Sequence, residues 1–149
     1  GAVAGYLVQD VNVEVYDGSY HPVDSKEIAF KIAGMRAFRD AMTKAKPVLL
    51  EPIMRLKITI PEAFMGAISG DMPNKRGRVL GMDAEEGIQV ISAEAPLAEL
   101  FKYAAELRSL TGGQGSFTLE FDRYDIVPSN VAQKVIAEAA KDRKDDDED

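Results

Sequence analysis

The chain contains no cysteine, and histidine occurs once in its 149 residues. A disulfide framework, a thiolate nucleophile and a cysteine-based zinc site are therefore excluded. One histidine also puts a histidine-rich metal site out of reach within a single chain. No apolar run approaches the roughly 20 residues that span a bilayer. The opening GAVAGYLVQDVNV has no basic flank and is too short and polar for a secretory leader. No GxxxxGK[ST] phosphate loop is present, so there is no Walker-type nucleotide site. The run GGQGS (residues 112–116) follows a helical pattern instead of opening one after a strand, so it reads as a helix exit. These absences leave little for an enzyme to work with, and they fit a cytosolic protein.

What is present is a chain with 46% apolar and 29% charged residues and a net charge of −7, the composition of a globular protein. The acidity is uneven. The tail KDRKDDDED (141–149) holds six acids and three bases, and flexible carboxylates of this kind lack the fixed geometry of a selective cation site. The segment Lys26 to Lys46 is the opposite, with six bases and two acids. A solvated helix face accounts for it, because helices routinely carry such charges.

Hydrophobic period divides the chain. Val11, Val13 and Val15 alternate with Asn12 and Glu14, which predicts a half-buried strand. Asp17-Gly18 turns it. Asp24 and Glu27 offer capping chemistry for a helix to about Lys46, with Ile28, Ile32, Met35 and Met42 along one stripe. Pro47 stops it. Met54, Leu56, Ile58 and Ile60 then mark a strand, Pro61 opens a helix through Ile68, and GDMPNKRG (70–77) reads as a loop. Strands follow at 78–82 and 88–93 around the hairpin-like DAEEG. A helix opens at Pro96, and a last strand carries Phe117, Leu119 and Phe121.

That order is β-α-β, β-α-β, the ferredoxin-like split pattern of an α+β sandwich. It places the first and last strands side by side, with Arg55 and Lys57 near Glu120 and Asp122, opposite signs across a pair. A terminal helix is expected after Pro128, fraying into a disordered acidic tail. Residues 48–127 thus form a self-sufficient domain and 128–149 a helix and tail. Residues 1–47, one strand and one long helix, cannot cover their own faces and read as part of something larger.

The turn DGSYHPVDS (17–25) carries the sole histidine beside a serine and a tyrosine. On composition alone it is ordinary surface.

Five stretches taken together, YDGSYHPVDSKEIAFKIAG, PVLLEPIMRLKITIPEAFMG, GDMPNKRGRVLGM, APLAELFKYAAELRSLTGGQGSFTLEFDRY and the following VP, resemble the carboxy-terminal part of elongation factor G, the bacterial ribosomal translocase. The resemblance covers nearly the whole chain apart from the acidic tail. It implies that 1–47 is the latter part of the fourth domain, an incomplete βα piece of a ribosomal-protein-S5-like fold, and that 48–127 is the ferredoxin-like fifth domain. It further implies that the 17–25 loop is the tip that enters the decoding centre, with Gly18, Ser19, Tyr20, His21 and Pro22 facing the tRNA–mRNA duplex in the A site. Lys75, Arg76 and Arg78 are the implied auxiliary contacts to ribosomal RNA. The implied partners are the ribosome and the upstream domains of the parent protein, with no membrane and no DNA. GTP and magnesium would belong to the parent's upstream GTPase domain, which leaves this chain without catalytic residues, cofactor or metal.

The chain also departs from the family pattern. Pro22 stands where an acid is usual and Lys26 where a small polar residue is common. Gly113-Gln114 interrupts a Gly-Arg-Gly run, and Ala84-Glu85-Glu86 replaces a more basic turn. Such changes suit a paralogue acting in specialised translocation or ribosome recycling, or less readily in ribosomal protection. A stand-alone ferredoxin-like module that binds a ligand or partner is the alternative from a different class, and a small hydrolase is disfavoured by the missing nucleophile and metal sets.

Overall fold

The computed structural model describes residues 1 and 3–146. The chain forms two compact units, Leu50–Val127 and the pair of segments Gly1–Leu49 and Pro128–Asp149.

Leu50–Val127 is a four-stranded sheet with two helices between its strands. Strand β1 runs Leu50–Pro61, helix α2 Met65–Asp71, β2 Arg78–Glu85, β3 Ile88–Pro96, α3 Tyr103–Thr111 and β4 Ser116–Ile126. The sheet order is β2-β3-β1-β4 and every pair is antiparallel, the ferredoxin-like arrangement the sequence pattern predicts. The β1–β4 register sets Arg55 opposite Glu120, and Arg55 also lies 3.6 Å from Asp122. Lys57, however, faces Thr118. The β2–β3 turn uses Glu86 at φ +44° and Gly87 at φ +84°. Positive φ at both central residues suits the twist of a tight hairpin.

The core has one side. Leu56, Ile58 and Ile60 of β1 align with Ala93, Ile91 and Gln89 of β3. Against them pack Ile68 and Met72 from α2 and its extension, and Leu100, Tyr103 and Leu107 from the α3 segment. Each large side chain so buried contributes about 1.5–3 kcal/mol. Tyr103 meets Phe117 edge to face at 4.9 Å, locking α3 to β4. Thr111 closes the helix: its hydroxyl donates to the Leu107 carbonyl at 2.7 Å and accepts the Gly115 N–H at 2.9 Å. Gly112 follows in the left-handed region, φ +59°, so GGQGS is the helix exit expected.

The segment Gly70–Gly77 is not the loop its glycines and proline suggest. After α2 the chain continues as a 3-10 helix, Met72–Lys75, with Pro73 in its first turn and Arg76 ending it at φ +51°. Met72 is wholly buried, and that apolar anchor draws the segment onto the sheet. Gly77 then passes so close to β3 that an added Cβ would lie 2.7 Å from the Glu94 carbonyl oxygen.

In the other unit, α1 spans Glu27–Lys44 and α4 spans Ser129–Asp146. Several sequence expectations fail here. The strand predicted at Val11–Val15 makes no ladder among the described residues, and Val13 and Val15 are 62% and 88% exposed. Alternating valines favour extended backbone, but a strand needs a partner for its N–H and C=O groups. Nor do Asp24 and Glu27 cap α1. Its N-terminus lies at Lys26 without a side-chain cap, and Glu27 instead pairs with Lys31 one turn on, at 2.6 Å. The predicted stripe of α1 has no buried member. The terminal helix runs through Asp146, further into the acidic segment than a fraying tail implies. The expectation of disorder at 147–149 lies outside the described residues.

Candidate functional site

Asp17-Gly18 starts the 17–25 loop, with the Asp17 carboxylate accepting the Gly18 N–H at 2.8 Å. At the other end the loop closes on His21. Its carbonyl accepts N–H groups from Asp24 at 3.2 Å and Ser25 at 2.9 Å, and its own N–H donates to the Ser25 hydroxyl at 2.6 Å. Pro22, inside this turn, fixes its own φ and holds the preceding residue extended.

The loop's side chains point outward. Tyr20 is 67% exposed, and Ser19, His21 and Pro22 are exposed. A Cβ placed on Gly18 would meet nothing within 4 Å. No hydrogen bond is made by the His21 imidazole or the Tyr20 phenol among the described residues. The five predicted tip residues are thus contiguous, solvent-facing and followed by a turn that Asp24 and Ser25 close on His21. A hydroxyl, a phenol and an imidazole each donate and accept hydrogen bonds, without demanding a particular base.

The second predicted set behaves differently. Lys75 is buried and forms ion pairs with Asp71 at 3.5 Å and with Glu106. Burial would lower its pKa, but the hydrogen bond to Glu106 and the charges of Asp71 and Glu106 outweigh that, and it is raised. Arg76 makes a bidentate pair with Glu51, 2.7 and 2.9 Å, and reaches Glu99 at 3.0 Å. The Glu51 bonds above all raise its pKa. Both cations are spent inside the fold. Arg78 alone is open, 71% exposed, although its guanidinium bonds Glu94 at 2.7 Å. Arg123 holds the other oxygen of Glu94 at 3.1 Å, and hydrogen bonds from Arg123 and Arg78 depress the Glu94 pKa against its burial. Burial raises the pKa of Tyr103, with the charges of Asp71 and Glu106 adding to it.

Sequence reasoning missed the acids that hold these cations, Glu51, Glu94, Glu99 and Glu106. Their partners lie 16 to 31 residues away, and no local period reports such pairs. Ser25 was also missed as the partner of His21, although a serine four residues on is within reach of a turn.

Among the described residues no group of three or more His, Asp or Glu could hold a metal ion, and no helix is long and apolar enough to cross a membrane. A shallow hollow on the open sheet face is lined by Lys57, Asp83, Glu85, Val90 and Ser92.

An α+β chain made of a ferredoxin-like unit and a helix-backed, solvent-facing loop is the class that this geometry defines. Residues 1–46 match the family model for elongation factor G, domain IV. Residues 48–135 match the family model for the elongation factor G C-terminus. The chain belongs to the elongation factor G family. A crystal structure of a protein from Thermus thermophilus is 48% identical over 85% of this chain, with a TM-score of 0.70. The chain spans 19% of the length of that protein.

Proposed function

We propose that this chain is the ribosome-binding carboxy-terminal part of an elongation factor G-like translational GTPase. Its 17–25 tip enters the decoding centre and promotes movement of tRNA and mRNA. The observation that carries this reading is the outward presentation of Ser19, Tyr20 and His21 on a tied backbone, in a chain of this family. RNA minor grooves are recognised through shape, 2′-hydroxyls and phosphates, which suits groups that both donate and accept. Arg36 and Arg39 of α1, which make no ion pair among the described residues, supply local positive charge for phosphates despite the acidic whole.

On this reading the protein works in the cytoplasm, its partners are ribosomal RNA and the A-site tRNA–mRNA duplex, and the chain itself performs no catalysis. GTP and magnesium belong to a phosphate-loop domain elsewhere in the parent protein. The departures at Pro22 and Ala84-Glu85-Glu86 favour a specialised paralogue, in recycling above all, as the second reading. His21→Ala in the full-length factor tests the first. Loss of contacts worth one or two hydrogen bonds slows translocation by about threefold to a hundredfold, while GTP turnover persists. Translocation at the parent rate would remove His21 from the mechanism. Slowed ribosome splitting with normal translocation would favour recycling.

A further inference from the structure

We infer that Ser25 is the positioning residue for His21, an inference that rests on the tip reading above and adds the device that aims the imidazole. The two residues are bonded reciprocally. The Ser25 hydroxyl accepts the His21 N–H at 2.6 Å, and the Ser25 N–H donates to the His21 carbonyl at 2.9 Å. A second N–H, from Asp24, reaches the same carbonyl at 3.2 Å. Both backbone polar groups of His21 are therefore held from one side of the loop, while its imidazole is left free among the described residues.

Side-chain direction follows backbone dihedrals, so fixing both peptide groups that flank the His21 Cα fixes the line along which Cβ leaves the chain. Pro22 contributes by absence. It has no N–H to compete for the Ser25 hydroxyl, and its ring restricts His21 to extended backbone. The hydroxyl is the one element of this clamp that a side-chain substitution removes cleanly, because the N–H of residue 25 survives any change short of proline. Ser25 touches no RNA in this scheme. It holds the group that does, and an ordered loop binds without first having to order itself.

The test is a set of variants in the full-length factor: Ser25→Ala, Ser25→Thr, His21→Ala and the double alanine variant, with translocation and GTP turnover measured for each. Ser25→Ala slows translocation about three- to tenfold, the worth of one hydrogen bond, and leaves GTP turnover unchanged. Ser25→Thr, which keeps the hydroxyl, restores the parent rate. The double variant is no slower than His21→Ala alone, because Ser25 acts only through His21. Ser25→Ala at parent speed beside a slow His21→Ala would overturn the inference and leave the tip reading standing. Losses that add in the double variant would overturn it too, as would a fall in GTP turnover that threonine does not restore. A His21→Ala factor at parent speed would overturn the tip reading itself, and this inference with it.

Discussion

Removing the guanidinium of Arg76 tests whether the cations of the 3-10 segment serve the fold. Arg76 sits at φ +51°, a left-handed conformation that costs a residue with a Cβ about 1–2 kcal/mol. Its side chain must repay that cost. It does so with two bonds to Glu51, whose residue is 8% exposed, and one to Glu99. Truncation to alanine leaves the Glu51 carboxylate buried without its partner and keeps the backbone strain. Breaking a fully buried pair costs about 3–5 kcal/mol. The Arg76 side chain is 24% exposed, so water reaches the site, and a loss of about 2 kcal/mol is expected after that discount. In a unit of this size that lowers the melting temperature by about 10 °C. Glycine at the same position loses the same bonds but relieves the backbone, so Arg76→Gly is destabilised less than Arg76→Ala, by about 1 kcal/mol. Urea unfolding of this chain, followed through NMR methyl signals of Ile58 and Ile91 in the core, reads out the unit that contains the pair. The order parent, glycine, alanine is the signature. An alanine variant within about 0.5 kcal/mol of the parent, the range of ordinary surface changes, would refute the reasoning. Equal glycine and alanine losses would refute the part assigned to backbone strain.

Glu94 predicts a pH dependence. Its pKa lies below the ordinary 4.5, so its contribution is complete above the unfolded-state value and is lost as pH falls through the lower folded-state value. Glu94→Gln is less stable than the parent at neutral pH, and the gap narrows below pH 4.5; a constant gap in acid melting curves would show that the carboxylate's charge is not what Arg123 and Arg78 recognise. Gly77 predicts a steric limit. A Cβ there falls 2.7 Å from the Glu94 carbonyl oxygen and 3.0 Å from the Ala95 Cβ, so Gly77→Ala destabilises by about 1–3 kcal/mol. Gly81→Ala, where a Cβ meets nothing within 4 Å, stays within about 0.5 kcal/mol; equal effects in thermal melts would contradict the close approach of Gly77 to β3.

What could be read from the sequence depended on whether the partners of a residue lie within one period of it. Alternation at Leu56, Ile58 and Ile60 reports the sheet directly, because the residues that fill one face of β1 sit two apart and their burial is a property of that face. The βαβ order places β1 and β4 side by side and so brings Arg55 and Lys57 near Glu120 and Asp122, but it does not set the register, which puts Arg55 opposite Glu120 and Lys57 opposite Thr118. The Val11–Val15 stretch shows the limit of the same signal. Its pattern is as regular as that of β1, yet a strand is a relation between two segments, and no described segment pairs with this one. Lys75 and Arg76 show a second limit. Read along the chain they are two cations in a polar loop, which the resemblance takes as contacts to ribosomal RNA. In the fold, buried Met72 pulls their segment against the sheet, and that places them against Glu106 and Glu51 from distant elements. The 17–25 loop stands apart from both cases, because its residues are consecutive and exposed on a turn. The resemblance points to this loop, while composition does not raise its histidine above ordinary surface. What the geometry adds is the reason this histidine is held: both its peptide groups are engaged, and its ring is not.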